Sequence, residues 1–474
     1  MPSPRRSSRP EPEMDTSWAS AAEIAEAVAA GKVSATQVTE DALARIMARD
    51  LVLNSFTDVL AERARSRAQA VDDARTAGQP LGPLAGVPFA VKNLFDVEGL
   101  ATRAGSKINR ELAPSPHDQP LIERLERAGA VLVGALNMGE YAYDFTGENA
   151  HDGNAHNPHD TNRMTGGSSS GSGGAVAGGL VPLSLGSDTN GSIRVPSSFC
   201  GLFGLKPTYG RLSRARSFPF VASLDHLGPL ARTPRDLALA YDAMQGPDAE
   251  DPVCTDRPME PTAPALTRGT DGLRIGVAGG YFKKGMFPEA CVAVQRVASA
   301  LRAIDVEIPE AQRARSAAYI ITASEGASLH LDRLRTRPND FDPAIRDRLI
   351  AGAMIPAALV VRAQKFRRWY RGEVLKLFET VDAILAPATP CTAPAIGQKT
   401  FVLDGAEMLV RPNIGIYTQP ISFIGLPVVA VPVPLNPMPI AVQVIAPPWR
   451  EDIALRIAYA LEQAGVCVAP RPSF

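Results

Sequence analysis

The chain lacks the features that mark secreted, disulfide-bonded and membrane-spanning proteins. Its five cysteines are scattered, odd in number and form no CxxC pair, which argues against disulfides and a cysteine-based metal site. No apolar run approaches the roughly 18–20 residues of a membrane-spanning helix. The first residues, MPSPRRSSRPEPEMD, lack the apolar core of a secretion signal. We therefore expect a disordered tail over residues 1–15 and a cytoplasmic protein without a membrane partner.

Neither sign of charge is in excess. The 49 Lys and Arg residues face 50 Asp and Glu residues, so the net charge of −1 predicts no general attraction to nucleic acid. One basic run with interleaved aromatics, Arg367–Arg371, could contact nucleic acid, but its position in a helical stretch favours a charged outer face with Trp369 buried. A small molecule is therefore the expected ligand.

Short apolar runs alternate with helical patterns along the chain. Residues 87–91 alternate Val, Phe and Val as a strand does, and residues 130–134 and 181–186 are short apolar runs next to glycine. This alternation predicts an α/β fold. Ser20 and Ser34 each begin a capping-box pattern, which predicts a helical hairpin at the N-terminus. The predicted parts are the hairpin (19–50), a core (about 60–245 and 380–474), a linker (246–272) and a second lobe (273–380), all within one domain spanning 16–474.

The stretch from Gly166 to Pro207 combines glycines, hydroxyls, one Asp and one Arg with core-like apolar runs: GGSSSGSGGAVAGGLVPLSLGSDTNGSIRVPSSFCGLFGLKP. A serine on a Gly/Asn turn after a strand is well placed for nucleophilic attack, because free backbone N–H groups there can stabilise an oxyanion. A flexible linker is the first alternative, although the apolar flanks argue against it. A phosphate-binding loop is the second, but no Gly-Lys-Ser/Thr follows.

The whole stretch resembles the signature of the amidase signature family, serine hydrolases of amide bonds. The resemblance extends upstream to LAGVPFAVKN (84–93) and downstream to QPISFIGLP (419–427), so it covers most of the chain. It implies a single large domain whose central mixed β-sheet is flanked by helices on both faces. It also implies a hydrolase acting on carbon–nitrogen bonds other than peptide bonds, with no cofactor and no metal.

The family's Lys–Ser–Ser triad falls on Lys92, Ser168 and Ser192 of this sequence. The resemblance implies that Ser192 is the nucleophile, that Ser168 bridges on a cis peptide bond after Gly167, and that neutral Lys92 is the base. A buried lysine can act so if burial lowers its pKa. The backbone N–H groups implied for the oxyanion hole belong to Thr189, Asn190, Gly191 and Ser192, and Asp188 and Arg194 are expected to brace the loop.

One residue departs from the family pattern. Asn190 stands where the family most often has glycine. Asparagine tolerates the left-handed conformation, so we expect the turn to survive and the side chain to crowd or contact the substrate. Upstream, residues 140–159 are rich in Tyr, Asn, His and Asp, and we interpret them as a polar loop beside the site rather than a metal cluster. Tyr143 is a candidate substrate-binding residue of this loop.

Within the family, the chain is most similar to the branch that hydrolyses 1-carboxybiuret in cyanuric acid degradation. The segments 330–338 and 411–420 carry this likeness together with DTNGS (188–192). An anionic ureido substrate needs a cationic or N–H-rich partner, and we expect Arg411 and Gln419 to bind it. Arg333, Arg335 and Arg337 are the alternatives to Arg411.

Other functions stay open at this point. A glutamyl- or aspartyl-tRNA amidotransferase component would require partner subunits and ammonia channelling, and an amidase of small carboxamides would not. An inactive scaffold is also an alternative, although the intact triad argues against it. The carboxybiuret branch is associated with a small partner subunit, so a hetero-oligomer or a homo-oligomer is expected.

Overall fold

An eleven-stranded mixed β-sheet runs through residues 14–473, which are the residues that the computed structural model describes. Of the tail predicted over 1–15, residues 1–13 lie outside the described residues. The described residues form fifteen strands, of which β4 with β5 and β12 with β13 make two separate two-stranded sheets. The strands are β1 (Phe56–Val59), β2 (Pro88–Lys92), β3 (Val131–Leu136), β4 (His156–Asn157), β5 (Asp160–Met164), β6 (Leu183–Asp188), β7 (Phe203–Lys206), β8 (His226–Ala231), β9 (Ile275–Ala278), β10 (Ile304–Val306), β11 (Ala383–Pro387), β12 (Thr400–Leu403), β13 (Ala406–Leu409), β14 (Val428–Val433) and β15 (Ile440–Ile445).

The strand order in the sheet is β1-β3-β2-β6-β8-β7-β14-β15-β11-β9-β10. Strands β3, β2 and β6 pair in parallel, as do β11, β9 and β10, and the other neighbours are antiparallel. Parallel strands covered on both faces read as continuous apolar runs, and β2, β3 and β6 are buried at every residue. The predicted α/β class with a central mixed sheet is confirmed.

Helices cover the sheet. Helices α5 (Ser170–Ala177) and α6 (Arg194–Cys200) pack together and against the middle strands, and α7 (Pro234–Met244) and α14 (Glu451–Gln463) form a second packed pair on β8 and β14. The helices are α1 (Ala21–Ala29), α2 (Ala35–Leu53), α3 (Ala61–Thr76), α4 (Pro120–Arg127), α5 (Ser170–Ala177), α6 (Arg194–Cys200), α7 (Pro234–Met244), α8 (Pro288–Ala300), α9 (Ala311–Thr336), α10 (Pro343–Ala353), α11 (Ala357–Leu377), α12 (Val410–Asn413), α13 (Gln419–Ser422) and α14 (Glu451–Gln463).

The helical hairpin at the N-terminus forms as α1 and α2. Ser20 and Glu23 make both bonds of a capping box. The box expected at Ser34 is only half made: its side chain accepts from the N–H of Gln37, but the Gln37 amide donates to Asp41 at 2.7 Å instead.

The segment from 273 to 380 adds strands β9 and β10 to the same sheet, beside β11. Its helices α10 and α11 both pack on α9. The prediction that Trp369 is the buried aromatic of α11 is wrong. Trp369 is 46% exposed, and its neighbour Tyr370 is fully buried against Phe366 and Phe423. Within residues 14–473, none of the helices combines the length and apolarity needed to cross a membrane.

Candidate active site

Two parallel strands bring the first site residues together. Lys92 is the last residue of β2, and Ser187 lies at the end of the neighbouring strand β6. The carboxyl ends of parallel strands meet at one edge of the sheet. Lys92 Nζ lies 2.7 Å from Ser168 Oγ and 2.8 Å from Ser187 Oγ, and it is fully buried. The contact between Lys92 and Ser168 is the one that the resemblance implies.

Burial controls the charge of Lys92. Removal of the ammonium group from water lowers its pKa from 10.5 to about 7, although Asp188, Asp225 and Asp144 favour the charged form and oppose the shift. A large neutral fraction is therefore present near neutral pH. A neutral amine 2.7 Å from a serine hydroxyl can accept its proton.

The serine-rich stretch is core structure rather than a linker. Residues 166–177 are buried, and two of their hydroxyls bond to the backbone of β6. Ser169 Oγ bonds to both the carbonyl and the N–H of Ser187, at 3.1 and 3.2 Å, and Ser172 Oγ donates to the carbonyl of Leu185 at 3.0 Å. These bonds dock the start of α5 on the strand that ends in the site. The peptide bond between Gly167 and Ser168 is cis, as the resemblance implies.

The loop between β6 and α6 carries Ser192. None of the described residues accepts a hydrogen bond from the backbone N–H groups of Asn190, Gly191 or Ser192. Gly191 has φ +143°, and a Cβ there would lie 2.3 Å from Thr418 Oγ1, so this position requires glycine. Asn190 does not need the left-handed conformation that asparagine tolerates, because the positive φ belongs to Gly191 alone in this turn. The loop therefore offers free N–H donors next to a hydroxyl.

Ser192 faces a narrow space, here called the Ser192 cavity. No hydrogen bond between Ser168 and Ser192 is present within the described part of the chain, so the structure joins only Lys92 and Ser168 directly. The lining contains both aromatic and polar side chains. It consists of Ala142, Tyr143, Asp144, Phe145, Thr189, Asn190, Ser192, Phe220, Tyr319, Thr322, Arg348 and Gln419.

A buried ion pair lies behind the loop. Arg194 donates from Nε and Nη2 to the two carboxylate oxygens of Asp188, at 2.9 Å each, and both side chains are fully buried. Arg194 also donates to Gln443 Oε1 at 2.6 Å and to Ser422. Burial alone would raise the pKa of Asp188, but Arg194 more than offsets this and holds that pKa well below its usual range. The ion pair joins the residues on either side of the loop, as is expected of two residues that support it.

The predicted substrate-binding residues are only partly brought together. Tyr143 and Gln419 line the cavity, whereas Arg411 does not. The guanidinium of Arg411 pairs with Asp144 and, at 2.8 Å, with Glu148. The three alternatives also lie elsewhere: Arg333 donates to Asn109 and Tyr141, Arg335 is 77% exposed, and Arg337 pairs with Glu111 and Asp340.

The sequence did not identify several of the residues that line the Ser192 cavity. Tyr319 and Thr322 lie on one face of α9, and the Asn190 amide donates to Thr322 Oγ1 at 2.9 Å. Arg348 of α10 also lines the cavity. Behind it, Arg315 donates to Gln419 Oε1 at 3.0 Å. The three-residue spacing of Tyr319 and Thr322 is a signal that could have been read, but nothing local distinguishes Arg348 from its neighbours.

The histidines of the polar loop bond to separate partners. His151 Nε2 lies 3.1 Å from Glu140 Oε1, His156 bonds to the carbonyl of Thr161, and His159 bonds to the carbonyl of Cys200. The loop itself contributes Tyr143 and Asp144 to the Ser192 cavity.

Comparison with known proteins gives consistent matches over nearly the whole chain. Residues 37–455 match the sequence profile of the family described as Amidase. AtzE, a component of the 1-carboxybiuret hydrolase of Pseudomonas sp. (strain ADP), is 55% identical over 448 residues, covering 94% of this chain and 98% of that protein. One component of the glutamyl-tRNA(Gln) amidotransferase of Azotobacter vinelandii is 37% identical over 474 residues, covering 94% and 96%.

Solved structures agree with these relatives. One, described as a vestigial protein complex that reveals the origins of an s-triazine catabolic enzyme, superposes with a TM-score of 0.94 at 54% identity. The match covers 95% of this chain and all of that one. The 6-aminohexanoate cyclic dimer hydrolase superposes with a TM-score of 0.86 at 29% identity, covering 97% of this chain and 99% of that one.

Proposed function

Because the chain belongs to the Amidase family, hydrolases of carbon–nitrogen bonds other than peptide bonds, we propose that it releases ammonia from 1-carboxybiuret or a similarly small ureido compound. The observation that carries the proposal is the 55% identity to a component of a 1-carboxybiuret hydrolase over nearly both full lengths. The amidotransferase relatives, at 34–37% identity, are less similar. A narrow cavity at Ser192 with aromatic and polar walls suits a small planar substrate rather than a polymer.

In the proposed mechanism, neutral Lys92 takes the proton of Ser168, which takes the proton of Ser192. The freed Ser192 oxygen attacks the terminal ureido carbonyl, and the N–H groups of the 189–192 loop stabilise the oxyanion. The C–NH2 bond then breaks, and the relay returns the proton so that ammonia leaves. Water attacks the acyl-enzyme, the ester bond breaks, and Ser192 recovers its proton. The low pKa of Lys92 and the 2.7 Å contact with Ser168 support the first step.

We further propose that the chain works together with a small partner subunit. The support is a solved relative, 54% identical, that is described as a protein complex. Chain purified from its native cells should contain a second, smaller polypeptide in fixed ratio. Recovery of the chain with no such polypeptide, at full activity, would contradict this part of the proposal.

Ammonia release from purified protein tests the function. We expect turnover of 1-carboxybiuret, weaker turnover of biuret and simple carboxamides, and no dependence on tRNA. Faster hydrolysis of neutral carboxamides would reduce the assignment to a general amidase. Glutamine hydrolysis that requires amidotransferase partner subunits would instead support the tRNA amidotransferase alternative.

A further inference from the structure

The side chain of Asn190 lines the Ser192 cavity with one of its two polar atoms unused. Asn190 is 5% exposed, and its Nδ2 donates to Thr322 Oγ1 of α9 at 2.9 Å. Its Oδ1 is buried and accepts no hydrogen bond from any residue in the range 14–473. Most buried polar atoms have a partner, because an unpaired one loses its bonds to water without replacement. A donor on a bound ligand would supply that partner.

Contacts on two sides hold Asn190 in place before a ligand arrives. Its backbone carbonyl accepts from Thr418 Oγ1 at 2.6 Å, and its side-chain amide is anchored on Thr322. A turn of the amide would break the bond to Thr322, so Oδ1 is the atom that stays available to a ligand. An acceptor that is fixed in advance loses little conformational entropy on binding.

The position of Asn190 decides which part of a substrate it can reach. Asn190 stands two residues before Ser192 in the same loop, and both line the same narrow cavity. We therefore expect it to contact the atoms around the carbonyl that Ser192 attacks. Because an amide oxygen is neutral, it can accept a hydrogen bond there without the repulsion that a carboxylate would exert on the oxyanion.

We propose that Asn190 Oδ1 accepts the ureido N–H next to the attacked carbonyl, and that Asn190 thereby selects ureido compounds over carboxamides. The inference rests on the proposed function, because it takes a ureido compound as the occupant of the cavity. A ureido carbonyl has nitrogen on both sides, whereas a carboxamide has carbon on one. A carboxamide would leave Oδ1 buried and unpaired, and a site built for a substrate N–H discriminates against an analogue without it for this reason.

Biuret and malonamide are the matched probes, because they differ only in a central NH in place of CH2. Asn190→Ala should lower kcat/KM for biuret by about 5- to 100-fold, the scale of a buried hydrogen-bonding group left without its partner. It should leave kcat/KM for malonamide unchanged or higher, because the unpaired Oδ1 is gone. If malonamide is bound but not cleaved, its inhibition constant against 1-carboxybiuret hydrolysis is compared instead.

A variant at Thr322 tests the same contact from the other side. Thr322→Val keeps the shape of the side chain but gives Asn190 Nδ2 no acceptor, so the amide is no longer anchored. The ratio of biuret to malonamide turnover should fall part of the way towards that of Asn190→Ala. The matched control is Thr336→Val on the same helix, because Thr336 is exposed, bonds to the carbonyl of Asp332 and does not line the cavity. Its ratio should equal that of wild type.

The outcomes separate the inference from the proposed function. If wild type hydrolyses 1-carboxybiuret and Asn190→Ala lowers both probe rates equally, Asn190 only shapes the loop, so the inference is wrong and the function stands. An unchanged ratio in Asn190→Ala has the same meaning. If wild type hydrolyses no ureido compound, the proposed function fails and the inference fails with it. Should Asn190→Ala not fold, Thr322→Val decides, and an unchanged ratio in that variant overturns the inference.

Discussion

At the scale of single residues, the environment of Lys92 determines the expected pH dependence. As a base, Lys92 must be neutral, and burial lowers its pKa to about 7. Below that pH the amine is protonated and cannot accept a proton, so kcat/KM should rise with pH through about 7 and then level off. A pH profile of ammonia release measures this directly. A profile that is flat from pH 5 to 9 would contradict it.

A second buried lysine provides the control for that profile. Burial also lowers the pKa of Lys206 to about 7, but its amine donates to the carbonyls of Leu426 and Pro207 and does not line the cavity. Lys206→Gln should keep the inflection. Loss of the inflection in that variant would show that the titrating group is Lys206 and not Lys92.

Motif residues were predictable from the sequence, whereas cavity residues were not. Lys92, Ser168 and Ser192 each stand at a distinctive local pattern, and the structure brings the first two into contact. Arg348 stands in an ordinary helical stretch, and its place at the cavity depends on how α10 packs. The backbone φ of Asn190 could not be predicted from local propensity either, because the adjacent Gly191 takes the positive φ.

At the scale of elements, the contact between α9 and α10 sets the wall of the cavity. Gly352 of α10 lies so close to α9 that a Cβ would be 2.1 Å from the carbonyl oxygen of Ala323. Gly352→Ala should therefore destabilise the protein by about 1–3 kcal/mol, as overpacking does. It should also impair turnover, because α10 carries Arg348. Chemical denaturation and ammonia release measure the two effects.

Gly372 of α11 is the matched control for Gly352. A Cβ there would meet nothing within 4 Å. Gly372→Ala should stabilise the protein by about 0.5–1 kcal/mol, because alanine favours the helix, with no effect on turnover. A stabilising Gly352→Ala variant would show that α9 and α10 can separate without cost.

Element positions were mostly predictable because apolar periodicity and caps are local. Helix α11 begins directly after Pro356, a residue that has no N–H to donate within a helix. The predicted buried aromatic of α11 was wrong by one residue. Ala363, Tyr370 and Val374 share the buried face, and Trp369 lies about 100° away around the helix. Only packing against Phe423 decides which aromatic is buried.

At the scale of the whole molecule, Arg194 links the signature loop to the C-terminal part of the sheet. Its guanidinium contacts Asp188 at the end of β6, Ser422 of α13 and Gln443 of β15. Arg194→Met would leave the Asp188 carboxylate buried without its partner. We expect a loss of about 3–5 kcal/mol in the free energy of unfolding, the cost of breaking a buried ion pair.

An exposed ion pair provides the comparison for Arg194. Lys283 and Asp305 lie 2.7 Å apart with side chains 53% and 75% exposed. Lys283→Ala should change stability by no more than about 1 kcal/mol. Urea denaturation of both variants tests the contrast, and similar small losses would mean that Asp188 is protonated or solvated without Arg194.

The sequence predicted a central mixed sheet but not which segments supply its strands. Strand β8 contains Gly228 and Pro229, so its apolar pattern is interrupted, and its pairing with β6 and β7 depends on distant residues. The segment 273–380 supplies strands β9 and β10 at one edge of the sheet and three cavity residues, Tyr319, Thr322 and Arg348. The division into core, linker and second lobe stays a prediction.

Covalent labelling of the purified chain tests Ser192 as the nucleophile most directly. A fluorophosphonate probe should add once per chain, and peptide mapping by mass spectrometry should place the adduct on Ser192 with loss of ammonia release. Ser192→Ala should melt like wild type, take up no probe and release no ammonia. Stoichiometric labelling of that variant, or an adduct on another serine in wild type, would contradict the assignment.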